Sequence, residues 1–266
     1  METDSDMELR LTRKVALITG SSRGIGRGIA ETLAAEGCDV VLHGRDQAAL
    51  AEVEAAVRKA GRNAVVVVQD LCKDSSPQAL VAAAEKRFGR LDILVNNAGA
   101  TKRGDFRVLT DMDWKDGFEL KFFAHVRLAR EAWPLLTKSN GSIVNIAGIG
   151  GREPEAEFGI GSSVNAAIAA WTKALADVGR KEGVQVNAIN PGRVETERLW
   201  RRIRERMKAS GLDETGVRSE YRTEFGITRF GTTDDVAGLV AFIASPQGRW
   251  MHGSVINMDG GEVRGY

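Results

Sequence analysis

Seven residues, Gly20-Ser-Ser-Arg-Gly-Ile-Gly26, carry the clearest chemical signal in the chain. Three glycines at this spacing allow positive φ and a close approach of backbone to ligand. Entered from the apolar run Val15–Ile18 plus Thr19 and leading into a helical pattern, the turn reads as a cradle for dinucleotide phosphates. The helix N-terminus would add unpaired N–H groups and a partial positive charge. A glycine pattern alone also arises by chance, so the surrounding elements must place it between a strand and a helix.

Strand-like and helix-like segments alternate along the whole chain, the pattern of a parallel sheet covered on both faces. Strands are expected at Lys14–Thr19, Asp39–His43, Asn63–Val68, Ile93–Asn96, Gly141–Ala147, Val184–Asn190 and Ser254–Met258. Helices are expected at Ile25–Glu36, Gln47–Ala60, Pro77–Phe88, Asp113–Thr137, Ser162–Glu182 and Thr233–Ala244. Gly37, Gly61, Gly89 and Gly183 fall where left-handed helix ends are expected. The fold class is therefore α/β: one Rossmann-type, doubly wound parallel sheet of about seven strands with helices on both faces. Residues 1–12 read as an N-terminal tail and 13–266 as a single domain. The charged segment 196–225 interrupts the rhythm before the last helix–strand unit and reads as a helical lid over the carboxyl edge of the sheet.

With 266 residues the chain suits one large domain, since α/β units run to about 250 residues. Lys and Arg total 37 against 36 Asp and Glu, so no global field favours nucleic acid or an anionic membrane. Cys38 and Cys72 make no disulfide framework. The acidic N-terminus has no signal-peptide core, and no apolar run nears the ~20 residues of a membrane span. A cytoplasmic protein with no metal site, nucleic-acid partner or membrane partner is expected.

Four ordered segments resemble the short-chain dehydrogenase/reductase family, over about Lys14 to Gly261. Thr19-Gly-Ser-Ser-Arg-Gly-Ile-Gly26 is close to TGxxxGxG, and Asn96-Asn-Ala-Gly99 matches NNAG. Pro191-Gly-Arg-Val-Glu-Thr196 matches PG-xxx-T, and Arg229-Phe-Gly-Thr through Met258-Asp-Gly-Gly261 is similar to the closing helix–strand unit. The resemblance implies phosphate contacts at Gly20, Ser22, Arg23, Ile25 and Gly26, and adenine contacts at Asp70 and Leu71. It further implies ribose contacts at Asn97, Ala98 and Gly99, and nicotinamide contacts at Pro191, Gly192, Val194 and Thr196.

The end of the second strand, His43-Gly-Arg-Asp46, bears on which dinucleotide is bound. A carboxylate there would accept from a ribose 2′-hydroxyl and repel a 2′-phosphate. Gly44 stands at that position, with Arg45 beside it and Arg23 in the glycine loop, two forked donors suited to phosphate. NADP(H) is expected over NAD(H); the ordinary alternative is that both arginines are solvated charges and Asp46 caps the next helix.

Catalysis in the resembled family uses a Tyr proton donor, a Lys one turn later, a Ser on the fifth strand and an Asn on the preceding helix. In this sequence the Tyr position falls on Gly161, the Lys on Asn165, the Ser on Gly148 and the Asn on Lys121. The only tyrosines are Tyr221 and Tyr266, so no register shift supplies one. Lys and Asn are exchanged between two helices that, in the family, approach the same ribose, and Lys121 and Asn165 are the catalytic candidates. A solvated Lys121 and a structurally satisfied Asn165 are the ordinary alternatives. Ser162, Ser163, Glu153, Glu155, Glu157, Tyr221 and His125 are weaker donors, each with an ordinary role in capping, solvation or packing.

Arg198, Arg201, Arg202, Arg204, Arg206 and Lys208 make the lid basic, which suits an anionic small-molecule substrate as well as it suits a solvated helix. Trp133 and Trp171 lie on the long helices through which family members associate, so a homotetramer or homodimer is expected. Two functions remain open. One is an NADP(H)-dependent oxidoreductase acting on a carbonyl or alcohol through a non-standard site. The other is a catalytically inactive dinucleotide-binding sensor or partner subunit.

Overall fold

A computed structural model describes residues 8–265. Seven strands, β1 (Val15–Ile18), β2 (Asp39–Gly44), β3 (Ala64–Val68), β4 (Ile93–Asn96), β5 (Ser142–Ile146), β6 (Gln185–Pro191) and β7 (Val255–Met258), form one sheet in the order 3-2-1-4-5-6-7. Every pairing is parallel. Neighbouring side chains on a strand point to opposite faces. Ala16 and Ile18 accordingly enter one core with Val40, Leu42 and Ile146, while Val15 and Leu17 enter the other with Val41, Leu94 and Ile143. Both faces are dry, hence the nearly continuous apolar strands.

Helices α1 (Gly24–Ala35), α2 (Gln47–Lys59) and α3 (Ser76–Phe88) follow the first three strands. Ile29 and Leu33 of α1 pack in the first core, and Leu80 and Val81 of α3 in the second. Gly89 ends α3 at φ 70°, a left-handed conformation that glycine adopts without a Cβ clash. Among the tail residues, 1–7 lie outside the described residues, while Leu11 is fully buried in the first core.

The helix expected over Asp113–Thr137 is instead three pieces: α4 (Asp111–Phe118), a π-helical turn (Glu119–Phe123) and α5 (Ala124–Ser139). A reciprocal capping box between Thr110 and Asp113 fixes the start of α4 two residues early. Helix α6 (Gly159–Glu182) also starts before the expected Ser162, and α9 is Thr233–Ala244. The segment 196–225 folds as two helices, α7 (Glu197–Ser210) and α8 (Glu214–Phe225). Leu199, Ile203 and Val217 of this pair form a small separate core with Ile227 and Phe230 of the segment that follows. No helix among the described residues is long and apolar enough to cross a membrane.

Candidate active site

The strand order reverses between β1 and β4, which opens a crevice at their carboxyl ends. The glycine loop leaves β1 into that crevice and enters α1. Gly20 and Gly24 take φ of 67° and 55°. A side chain at Gly26 would collide with the Gly20 carbonyl oxygen and the Asn97 amide, so glycine is what lets α1 close onto the loop. The backbone N–H groups of Ser22, Arg23, Gly24, Ile25 and Gly26 find no partner among the described residues. No acidic side chain lies in the first turn of α1. Unpaired N–H groups at an uncapped helix end form an anion site.

Gly20 itself has a different role: its N–H donates to His43 Nδ1 at 3.3 Å. The Gln69 carbonyl, 3.2 Å from Nε2, can only accept, so Nε2 carries the proton and Nδ1 is the acceptor. Burial keeps this imidazole neutral, with its pKa pushed down to about 4. His43 is thus a neutral pin between the loops after β1 and β3. The sequence signal was its place at the end of β2, where Gly44 and Arg45 drew attention instead.

Of the expected dinucleotide contacts, Asn97 directs its side-chain amide to the Thr19 and Gly20 carbonyls at 2.9 and 3.2 Å, bracing the glycine loop. Asp70 accepts from the Cys72 N–H at 3.1 Å, and Leu71 is buried. The Ala98 carbonyl accepts from His125 Nε2 at 2.8 Å. Gly192 donates to the Met258 carbonyl at 3.0 Å, Pro191 closes β6, and Val194 bridges to Gly231. A Cβ on Gly24 would lie 3.4 Å from the Thr196 methyl, so the segment entering α7 reaches the start of α1. Arg23 and Arg45 are exposed, with no carboxylate partner among the described residues. Asp46 accepts from the Ala49 N–H and caps α2.

Lys121 and Asn165 meet. Lys121 sits in the π-helical turn with its side chain buried, and its Nζ donates to Asn165 Oδ1 at 2.6 Å and to the Ala147 carbonyl at 2.8 Å. Its stem runs along Gly99, where a Cβ would stand 2.7 Å from Lys121 Cγ. Burial, then the nearby Arg198 charge, brings the Lys121 pKa down to about 7. Gly148, in an extended turn at φ 153°, leaves room for the Asn165 amide, 3.0 Å from where its Cβ would be. The space a side chain at Gly161 would take is filled by the Phe158 ring, which lies under the Arg103 guanidinium at 4.6 Å.

The weaker donors have other partners. Burial raises the Glu155 pKa, but ion pairs with Arg103 and Arg193 outweigh it and hold the group below the ordinary carboxylate range. Tyr221 stacks on Phe225 at 5.5 Å, against the small core of α7 and α8. His125 is fully buried and neutral, its pKa pushed down to about 4 by burial. Ser162 is buried with its hydroxyl unpartnered among the described residues. The Arg198 guanidinium, which donates to the Gly99 carbonyl at 3.0 Å, had no signal in the sequence beyond its place in a charged run.

A family model described as enoyl-(acyl carrier protein) reductase matches residues 20–262. Diacetyl reductase [(S)-acetoin forming] of Staphylococcus epidermidis is 34% identical over 255 residues, covering 94% of this chain and 98% of the relative. Galactitol 2-dehydrogenase of Agrobacterium fabrum is 34% identical over 263 residues, covering 95% and 98%. L-Sorbose reductase from Gluconobacter frateurii, solved in complex with NADPH and L-sorbose, superposes with a TM-score of 0.94 at 33% identity, covering 98% of this chain and all of that one. Together with the glycine cradle, the reversed strand order and the Asn96–Gly99 and Pro191–Thr196 segments at one sheet edge, these matches show that the chain belongs to the short-chain dehydrogenase/reductase family of oxidoreductases.

Proposed function

We propose that this protein is an NADP(H)-dependent oxidoreductase that acts on a small carbonyl or alcohol through a non-standard site built on Lys121 and Asn165. The observation that carries the reading is the buried Lys121 ammonium, held by Asn165 and the Ala147 carbonyl at the carboxyl ends of the central strands. The dinucleotide fits the residues present. Unpaired N–H groups at the start of α1 suit its pyrophosphate. Exposed Arg23 and Arg45, together with an Asp46 engaged in capping, suit a 2′-phosphate. When bound, the nicotinamide supplies the hydride.

The chain's own residues supply the proton. An ammonium has three donors, and two of those on Lys121 are held by protein oxygens. The third remains for a substrate oxygen, stabilising the charge that develops there and delivering a proton to it. A pKa near 7 matches such a donor to neutral pH. Asn165 fixes the amine, and Gly99 gives the lysine stem its path.

The sensor or partner-subunit reading draws support from Phe158, whose ring fills the space that a side chain at position 161 would use to reach the cleft. Parallel titrations with NADPH and NADH, followed by NADPH oxidation across a panel of carbonyl compounds, separate the two. The oxidoreductase reading expects tighter NADPH binding and turnover of at least one compound. Tight binding with no turnover anywhere supports the sensor.

A further inference from the structure

The six basic side chains of α7 divide into two sets. Arg204 pairs with Glu197, Arg206 lies 3.1 Å from Glu220 and 2.6 Å from Glu224, Arg201 lies 3.9 Å from Glu205, and Lys208 is exposed. These are solvated charges of an ordinary surface helix. Arg198 and Arg202 differ. Four residues apart, they share one face of α7, and neither has a carboxylate within 4.0 Å among the described residues.

Arg198 rests on the Gly99 carbonyl, and Gly99 abuts the Lys121 stem, so the guanidinium stands at the mouth above the amine. It is crowded by protein yet solvent-accessible. Arg202 lies one turn further on, near Arg103 and Arg193. Arg198 lies near Lys121, and Arg202 near Arg103, Arg193 and Glu155, so five cations in this region face the acids Glu155 and Glu262. Arg193 holds both acids, and Arg103 shares Glu155. Lys121, Arg198 and Arg202 are left uncompensated. Crowded like charges are costly unless an anion completes them. Burial, followed by Arg201 for Arg198 and by Arg103 and Arg193 for Arg202, pulls both guanidinium pKa values below their ordinary range.

We infer that the substrate is a carbonyl compound bearing an anionic oxygen group, a carboxylate or a phosphate, which Arg198 and Arg202 grip while its carbonyl lies at Lys121. Guanidinium presents the forked donors that both groups accept from. The inference rests on the oxidoreductase reading for the carbonyl but not for the anion.

The test compares pyruvate, 3-oxobutanoate and 4-oxopentanoate with their methyl esters, and dihydroxyacetone phosphate with dihydroxyacetone. Each probe is followed by calorimetric binding to the NADPH-loaded protein and by NADPH oxidation, in the wild type, Arg198→Gln, Arg202→Gln and Arg198→Lys. At least one anion should exceed its neutral counterpart tenfold or more in affinity or kcat/KM. That ratio should collapse in either Gln variant and be partly retained in Arg198→Lys, with thermal unfolding confirming that each variant is folded. A preference for the oxo acids identifies a carboxylate, and a preference for dihydroxyacetone phosphate identifies a phosphate. Arginine-dependent anion binding without NADPH oxidation upholds the anion site and overturns the oxidoreductase reading. Neutral probes that are turned over as well as their anions overturn the inference and leave the oxidoreductase reading standing, and neutral probes that match their anions in binding alone, or binding of no probe, overturn the inference.

Discussion

The pairing of Lys121 with Asn165 ties the chemistry of the site to its stability. A buried ammonium needs every acceptor it has, because an uncompensated buried charge is strongly destabilising. Asn165→Leu leaves Lys121 with the Ala147 carbonyl alone and should cost about 2 kcal/mol in urea unfolding. In a Lys121→Met background the same change should cost little, since both polar partners are then replaced by apolar groups. Equal costs in the two backgrounds would show that the pair does not couple. At this scale motif spacing singled out positions 121 and 165, whose side chains meet in the structure. The sequence was silent where a side chain arrives from elsewhere: Phe158 against Gly161, Arg198 over Gly99, and His43 under Gly20.

Elements set what those residues can reach. The seven strands and most helix ends could be read from apolar runs and glycine stops, because a doubly buried parallel sheet leaves a strong pattern. The π-helical turn at Glu119–Phe123 could not. Its extra residue rotates the helix face by about one residue's 100°. A 3.6-residue periodicity therefore does not foresee that Lys121 is buried while the neighbouring Phe123 is exposed. The glycine loop shows the opposite case, in which spacing alone carries the geometry. Gly26→Ala would drive a methyl into the Gly20 carbonyl and the Asn97 amide, with backbone on one side and no room to yield. It should destabilise the protein by about 1–3 kcal/mol, a typical overpacking cost, and weaken NADPH binding tenfold or more. Unchanged binding and stability would show that α1 can shift away from the loop.

Across the whole molecule, two buried neutral histidines sit beneath the site. His43 and His125 both have pKa values pushed from 6.5 to about 4, chiefly by burial. A group whose folded pKa lies below its unfolded value contributes stability that is fully present above the unfolded pKa. That stability is lost as pH falls towards the folded pKa. The unfolding midpoint should therefore fall between pH 6.5 and 4, and the fall should be shallower in His43→Gln, which has no proton to gain. For His43 the loss has a structural route, since a proton on Nδ1 would face the Gly20 N–H and release the glycine loop. The helical pair α7 and α8 is the other feature at this scale. Its helicity was legible from the charged run in the sequence. Its separate core of Leu199, Ile203 and Val217 with Ile227 and Phe230 emerges only when the two helices fold against the segment that follows them.

The central claim is that Lys121 is the proton donor, and the pH dependence of NADPH-driven carbonyl reduction tests it most directly. In the wild type, kcat should be highest below about pH 7 and fall as pH rises through it, because the reaction needs the ammonium form. Lys121→Met should lose roughly a hundredfold or more, within the 10²–10⁴ range of general acid catalysis, while still binding NADPH. A folded Lys121→Met protein that keeps wild-type kcat and its pH profile would contradict the account.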